Sequence, residues 1–179
     1  MLTGSPVIVH DIPESLVAEA RANRGRPFPW GGNYTAVASV SVHASDGERG
    51  LHLVGAPLVV SVDGVAAYDF STGAGHRFTV DPNFMLYDPV PFRVTAVVRY
   101  NGDADAKDGA GFNLKYESIQ GLRGAGGWTN IPRDSEWHTL TWDIDDPQFV
   151  GRWGYDFILD SDSTMFSHYD LQSLSITKR

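Results

Sequence analysis

The chain has 179 residues, 22 of them acidic against 14 basic, for a formal charge of −8. That length suits one domain with a full core, and the absence of cysteine excludes disulfides, thiol chemistry and thiolate-held zinc. The acidic balance argues against nucleic acid as a partner, which demands clustered Lys and Arg, and against an anionic membrane surface; neutral ligands and cations stay open.

The N-terminus carries no basic stretch followed by an apolar core, so no signal peptide is expected in it. No run of eighteen apolar residues occurs, so no membrane-spanning helix is expected. A short helix is predicted from about Pro13 to Asn23. Asp11 can cap it, Pro13 suits its first turn, Leu16, Val17 and Ala20 form a narrow apolar stripe, and Gly25 offers a stop. Arg26-Pro-Phe-Pro-Trp-Gly-Gly-Asn33 follows, and its prolines and glycines prohibit regular structure around Trp30.

Strand-like runs begin at Tyr34 to His43 and continue through Leu51 to Val54, Pro57 to Val62 and Val65 to Phe70. Val62-Asp-Gly-Val65 reads as a two-residue hairpin, because Asp-Gly favours the turn that matches strand twist. His76 to Val80 is a further short strand, ended by Asp81-Pro-Asn83. His43 and His52 flank a turn and could approach each other.

The C-terminal half alternates with a period near two. Phe92, Val94, Ala96, Val98 and Tyr100 share one face, and Val97 adds an apolar residue to the other, as expected of a central strand covered on both sides. Phe112, Leu114 and Tyr116 alternate with Asn113, Lys115 and Glu117, as in a strand with one wet face. Leu140, Trp142 and Ile144 mark a third strand, Tyr155, Phe157 and Leu159 a fourth, and Leu174 and Ile176 a last one. About ten short strands separated by turns predict an all-β, antiparallel sandwich in a single domain over residues 1–179, with the one short helix at an end or edge.

This C-terminal block, roughly the last 90 residues, resembles jelly-roll, galactose-binding-like carbohydrate-binding modules. The resemblance rests on a core strand ending in Val98-Arg-Tyr100, the turn Asn101-Gly-Asp103, and the strand Gly111-Phe-Asn-Leu-Lys-Tyr116. Trp137-His-Thr-Leu-Thr, Phe149-Val-Gly-Arg-Trp and an Asp-Phe-Ile strand complete the pattern. It implies an accessory domain of a bacterial glycoside hydrolase or lyase, extracytoplasmic or secreted, whose partners are a polysaccharide or oligosaccharide and a catalytic domain. Ligand residues in that family sit in variable loops.

Sugar recognition needs flat apolar surfaces for the C–H faces of the ring and polar groups for its hydroxyls. Trp142 shares a face with core residues and reads as structural; Trp137, on the opposite face, reads as structural because it matches the strand Trp of the family the block resembles. Trp128 lies in Gly121-Leu-Arg-Gly-Ala-Gly-Gly-Trp-Thr-Asn-Ile-Pro132, read as a glycine-rich loop. There it is either a plug over the core or a ligand platform, with Asn130 and Arg133 near enough to add polar contacts. Trp30 is a second candidate of the same kind and Tyr87 a third.

Asp103, Asp105 and Asp108 lie in one turn. They read either as a solvated hairpin tip or, as the resemblance implies, as ligands of a structural calcium, although their spacing is not that of an EF-hand. No nucleophile elbow, phosphate-cradling loop or His-Glu-x-x-His pattern occurs, so no catalytic residue is assigned. The expected function is non-catalytic binding of a polysaccharide by aromatic stacking in loops. The alternatives are a small jelly-roll lyase or hydrolase and a structural accessory domain packed on a catalytic one.

Overall fold

A computed structural model describes residues 38–85, 90–103 and 109–179. The strands in chain order are β1 (Ser39–His43), β2 (Gly47–Arg49), β3 (Leu51–Val54), β4 (Val59–Val62), β5 (Val65–Asp69), β6 (Gly75–Val80), β7 (Phe92–Tyr100), β8 (Ala110–Ser118), β9 (Gly121–Ile131), β10 (His138–Ile144), β11 (Phe157–Asp160) and β12 (Tyr169–Lys178). They form two antiparallel sheets. One runs β10-β7-β12-β1-β2, with the β4–β5 hairpin joined to β12 through β5, and the other runs β3-β6-β11-β8-β9.

The alternation read from the sequence is what closes the sandwich. Phe92, Val94, Ala96 and Val98 of β7 are fully buried and belong to one core cluster with Phe112 and Leu114 of β8, which are fully buried too. Phe112 bridges the sheets directly, its ring 5.6 Å from that of Trp142 on β10 and 5.3 Å from that of Tyr169 on β12. Phe78 and Phe157 stack at 4.9 Å across neighbouring strands β6 and β11. Each such ring contributes roughly 1.5–3 kcal/mol of burial, so a core of this kind holds without disulfides. As expected, β7 is central, flanked by β10 and β12, but its second face is not covered as expected: Arg93 is exposed and Thr95, Val97 and Arg99 are only half-buried.

The Asp-Gly hairpin forms as predicted. Val62 pairs with Val65, and Asp63 (φ 53°) and Gly64 (φ 83°) both take the left-handed conformation that such a turn requires. The predicted helix around Pro13 to Asn23 and the loop holding Trp30 lie outside the described residues.

Other expectations fail too. Glu117, expected on the wet face of β8, is fully buried beneath the N–H groups of residues 150–152. The glycine-rich segment around Trp128 is not a loop but the eleven-residue strand β9, paired with β8 from Gly121 opposite Ser118 to Ile131 opposite Ala110. The three residues of β8 from Asn113 to Lys115 face the five of β9 from Trp128 to Gly124. Gly126 (φ 86°) and Gly127 (φ 85°) take up the excess in the left-handed region, where a side chain would be strained. The glycines serve this bulge, and they are also why no alternation shows in the sequence.

Candidate functional site

Because Phe112, Leu114 and Tyr116 point into the core, Gly111, Asn113, Lys115 and Glu117 of β8 point to the outer face of the five-stranded sheet. The register sets their neighbours. Gly111 lies opposite Asn130, Asn113 opposite both Trp128 and Asp160, and Lys115 opposite Ile158, which in turn faces Arg77. One surface therefore collects an indole, two side-chain amides and several charges.

Trp128 is held in place from three sides. Its indole lies across Gly111: a Cβ there would stand only 2.9 Å from Cε2 and Cζ2 of the ring. Its Nε1–H donates to Oδ1 of Asn130 at 2.9 Å. The ring of Phe166 meets it edge-on, with centroids 5.7 Å apart and planes at 81°. Phe166 belongs to a single 3-10 turn, Thr164–Phe166, capped by the Ser163 hydroxyl, which accepts from the Met165 N–H. With these restraints Trp128 remains 38 % exposed. A large ring fixed by its neighbours yet open to solvent is the uncommon case for tryptophan.

The middle of the face is polar. The Lys115 ammonium donates to Asp160 Oδ2 at 2.5 Å and has Asp162 at 4.0 Å. The hydrogen bond to Asp160, against some desolvation, holds the Lys115 pKa above its ordinary value, so the group stays charged. Asp160 also receives the Asp162 N–H, whose residue sits at φ 58°. Ile158 gives the floor an apolar patch, leaning over Gly75, where a Cβ would come within 2.9 Å of its Cδ1. The Arg77 guanidinium lies 5.4 Å from the Tyr155 ring centre, in cation–π range.

At the far end of β8 the carboxylate of Glu117 is fully buried. It accepts the backbone N–H groups of Val150 (2.8 Å), Gly151 (2.9 Å) and Arg152 (3.2 Å), with the Arg152 Nε 3.7 Å away. Residues 150–152 are thereby drawn over the outer face. The turn they enter closes with the Gly154 N–H on the Gly151 carbonyl at 3.0 Å and carries Trp153, which is 49 % exposed. Nearby Asp156 is also buried and accepts the Val80 N–H at 2.7 Å. Burial first, and then the charge of Glu117, push its carboxyl up to about 6.

Of the candidates read from the sequence, Trp128 and Asn130 come together on this face. Arg133 stands just past the end of β9, with its guanidinium against Gly109 at the start of β8. Trp30, Tyr87, Asp105 and Asp108 lie outside the described residues. Asp103 is exposed, and its carbonyl accepts the Tyr100 hydroxyl at 2.9 Å. Among the described residues no group of three or more His, Asp or Glu is arranged to hold a metal ion. His52 Nδ1 bonds Glu48 Oε2 at 2.8 Å.

Sequence reasoning missed Lys115, Phe166 and Trp153, and weighed Asp160 only as a weak calcium ligand. The first was available in the alternation of β8, whose wet face is this surface. Trp153 meets the criterion that singled out Trp128, an aromatic among glycines, in Gly151-Arg-Trp-Gly154. Phe166 and Asp160 reach the site only through the pairing of distant strands.

No protein-family profile and no curated protein matches the sequence. Among solved structures the chain is similar to the CBM22-1 xylan-binding domain from Paenibacillus barcinonensis Xyn10C, at 12 % identity and a TM-score of 0.48 over 77 % of this chain and 92 % of that one. It is also similar to CBM29_1, a family 29 carbohydrate-binding module from Piromyces equi, at 10 % identity and a TM-score of 0.45 over 79 % and 92 %. A third likeness is to the CBM22-1–GH10 modules of Clostridium thermocellum Xyn10B complexed with xylohexaose, at 12 % identity and a TM-score of 0.42, over 82 % of this chain and 27 % of that one.

Proposed function

We propose that this domain is a non-catalytic carbohydrate-binding module that receives a polysaccharide on the outer face of its five-stranded sheet, with Trp128 as the stacking platform. The observation that carries this reading is the Trp128 indole, braced by Gly111, Asn130 and Phe166 and still open on the outside. A pyranose laid on it comes within reach of the Asn113 amide and of the Lys115–Asp160 pair, which can donate to and accept from its hydroxyls. The stacking group stands on an edge strand rather than in a loop, so little ordering of the backbone is required on binding.

The two buried carboxylates at the far end of this face are structural, not catalytic. Glu117 is committed to three backbone N–H groups and Asp156 to a fourth, so neither is placed to exchange protons with a sugar on the surface. In this reading the domain is a secreted, bacterial accessory unit that holds a catalytic neighbour on its glycan.

Affinity electrophoresis of the chain through gels containing a panel of neutral polysaccharides tests the proposal. Retardation by at least one of them is expected, and Trp128→Ala, with an unchanged CD spectrum, should abolish it. A folded wild-type protein that no glycan retards would overturn the reading, and reducing ends released from the bound glycan would overturn its non-catalytic part.

A further inference from the structure

We propose that Glu117 is a positioning residue and Trp153 a second stacking surface at the far end of the same face, so that the ligand is an extended chain of several sugars rather than a single sugar or a disaccharide. This rests on the reading of Trp128 as a glycan platform. It adds a second contact, a length and a residue that sets both.

Gly111, beneath Trp128, and Glu117, beneath the Gly151–Gly154 turn, are six residues apart on β8, which is about 20 Å at ~3.3 Å per residue. Along that line lie Asn113 and then Lys115, with Asp160 and Ile158 beside them, so the space between the two aromatic ends is lined rather than empty. A disaccharide on Trp128 leaves the far end untouched.

The means of holding that end is unusual. A carboxylate taken out of water is unfavourable unless hydrogen bonds to its charged form compensate. Glu117 gives its acceptor capacity to one segment, the three consecutive N–H groups at 150–152. The segment then turns through Gly151 (φ 65°) and Gly154 (φ 77°), both left-handed, and the side chain set outside this anchored turn is the indole of Trp153. A buried charge thus fixes the backbone directly behind an exposed aromatic ring, as a binding surface formed before its ligand arrives requires.

The experiment is calorimetric titration of the full chain with a ladder of oligosaccharides, from disaccharide to hexasaccharide, cut from whichever polysaccharide retards it. Wild-type affinity should climb along the ladder. Trp153→Ala should bind the disaccharide as the wild type does and the hexasaccharide about tenfold more weakly, which corresponds to ~1.4 kcal/mol. Glu117→Gln, shown folded by near-UV CD, should shorten the ladder in the same way, an effect that loss of stability alone does not produce. A wild-type affinity already maximal at the disaccharide, or a Trp153→Ala protein with the full ladder, would overturn the inference while leaving the Trp128 platform standing. A normal ladder in Glu117→Gln would overturn the positioning role. Failure of the wild type to bind any member would instead strike the proposed function itself.

Discussion

Trp128 occupies the space above Gly111 that any larger residue at position 111 would need. A Cβ there would lie 2.4 Å from the carbonyl oxygen of Thr129 and 2.9 Å from two atoms of the indole. The first of these is backbone and cannot move without parting β8 from β9. Gly111→Ala is therefore expected to cost about 1–3 kcal/mol, as overpacking does, and to lift the indole from its seat. Urea denaturation reads the first effect. A red shift of tryptophan emission together with weakened retardation on the glycan gel reads the second. Wild-type stability and binding in this variant would show that the contact does not fix the ring.

The anchoring of residues 150–152 yields a prediction about stability. Glu117→Ala leaves the N–H groups of Val150 and Arg152 without their acceptor, that of Gly151 with only Asp156, and the Arg152 guanidinium without its partner. A loss of about 1–3 kcal/mol or more is expected, the cost of leaving a buried donor unsatisfied. Glu117→Gln keeps one oxygen and should lose less. Hydrogen exchange at the amides of 150–152 should accelerate well before the core strands are affected. Uniform acceleration throughout the chain would contradict a local anchor.

How far the sequence alone leads follows from where its side chains carry a signal. β7 matches its predicted span, Phe92 to Tyr100, because every second residue there is apolar and buried. β8, β10, β11 and β12 fall within a few residues of their predicted positions for the same reason. β9 shows no alternation because five of its first seven positions are glycine or alanine, the other two being Leu122 and Arg123. The site suffers from a different limit. Trp128 and Asn130 stand two residues apart and could be paired by inspection, but the neighbours that define the surface, Asp160 and Phe166, meet them only once β8 lies between β9 and β11.

Trp142 ties the seven-stranded sheet to the strand that carries the platform. Its Nε1–H donates to the Thr129 hydroxyl at 3.3 Å, and its ring packs on Phe112. Thr129 adjoins Trp128 on β9 but faces the opposite side of the sheet. Trp142→Ala should cost about 3–5 kcal/mol, as is usual for removing a large aromatic from a core. Thr129→Val removes only the hydrogen bond and should cost about 1 kcal/mol. In a double-mutant cycle followed by urea denaturation, Thr129→Val should be close to neutral once Trp142 is Phe. Full additivity would mean that the hydrogen bond contributes nothing.

Asp156 makes stability depend on pH in the direction opposite to most paired carboxylates. Burial first, then the charge of Glu117, lift its carboxyl from 3.8 to about 6, against the opposing pull of the Val80 and Gly151 N–H groups. The native state therefore holds this proton more tightly than the unfolded chain does. By linkage the contribution favours folding below pH ~4, falls as pH rises from ~4 to ~6, and is fully lost above that, a change of about 3 kcal/mol. Asp156→Asn retains an oxygen to accept from Val80 and removes the charge, so it should be more stable than wild type at pH 7 and equal to it near pH 4. Asp170, whose pKa burial also raises, and His76, whose pKa burial lowers, contribute slopes of their own. Both are common to the two proteins, so the difference between their urea midpoints across pH 4–7 isolates position 156. Parallel profiles over that range would show that the Asp156 proton is held no more tightly in the folded protein than in the unfolded one.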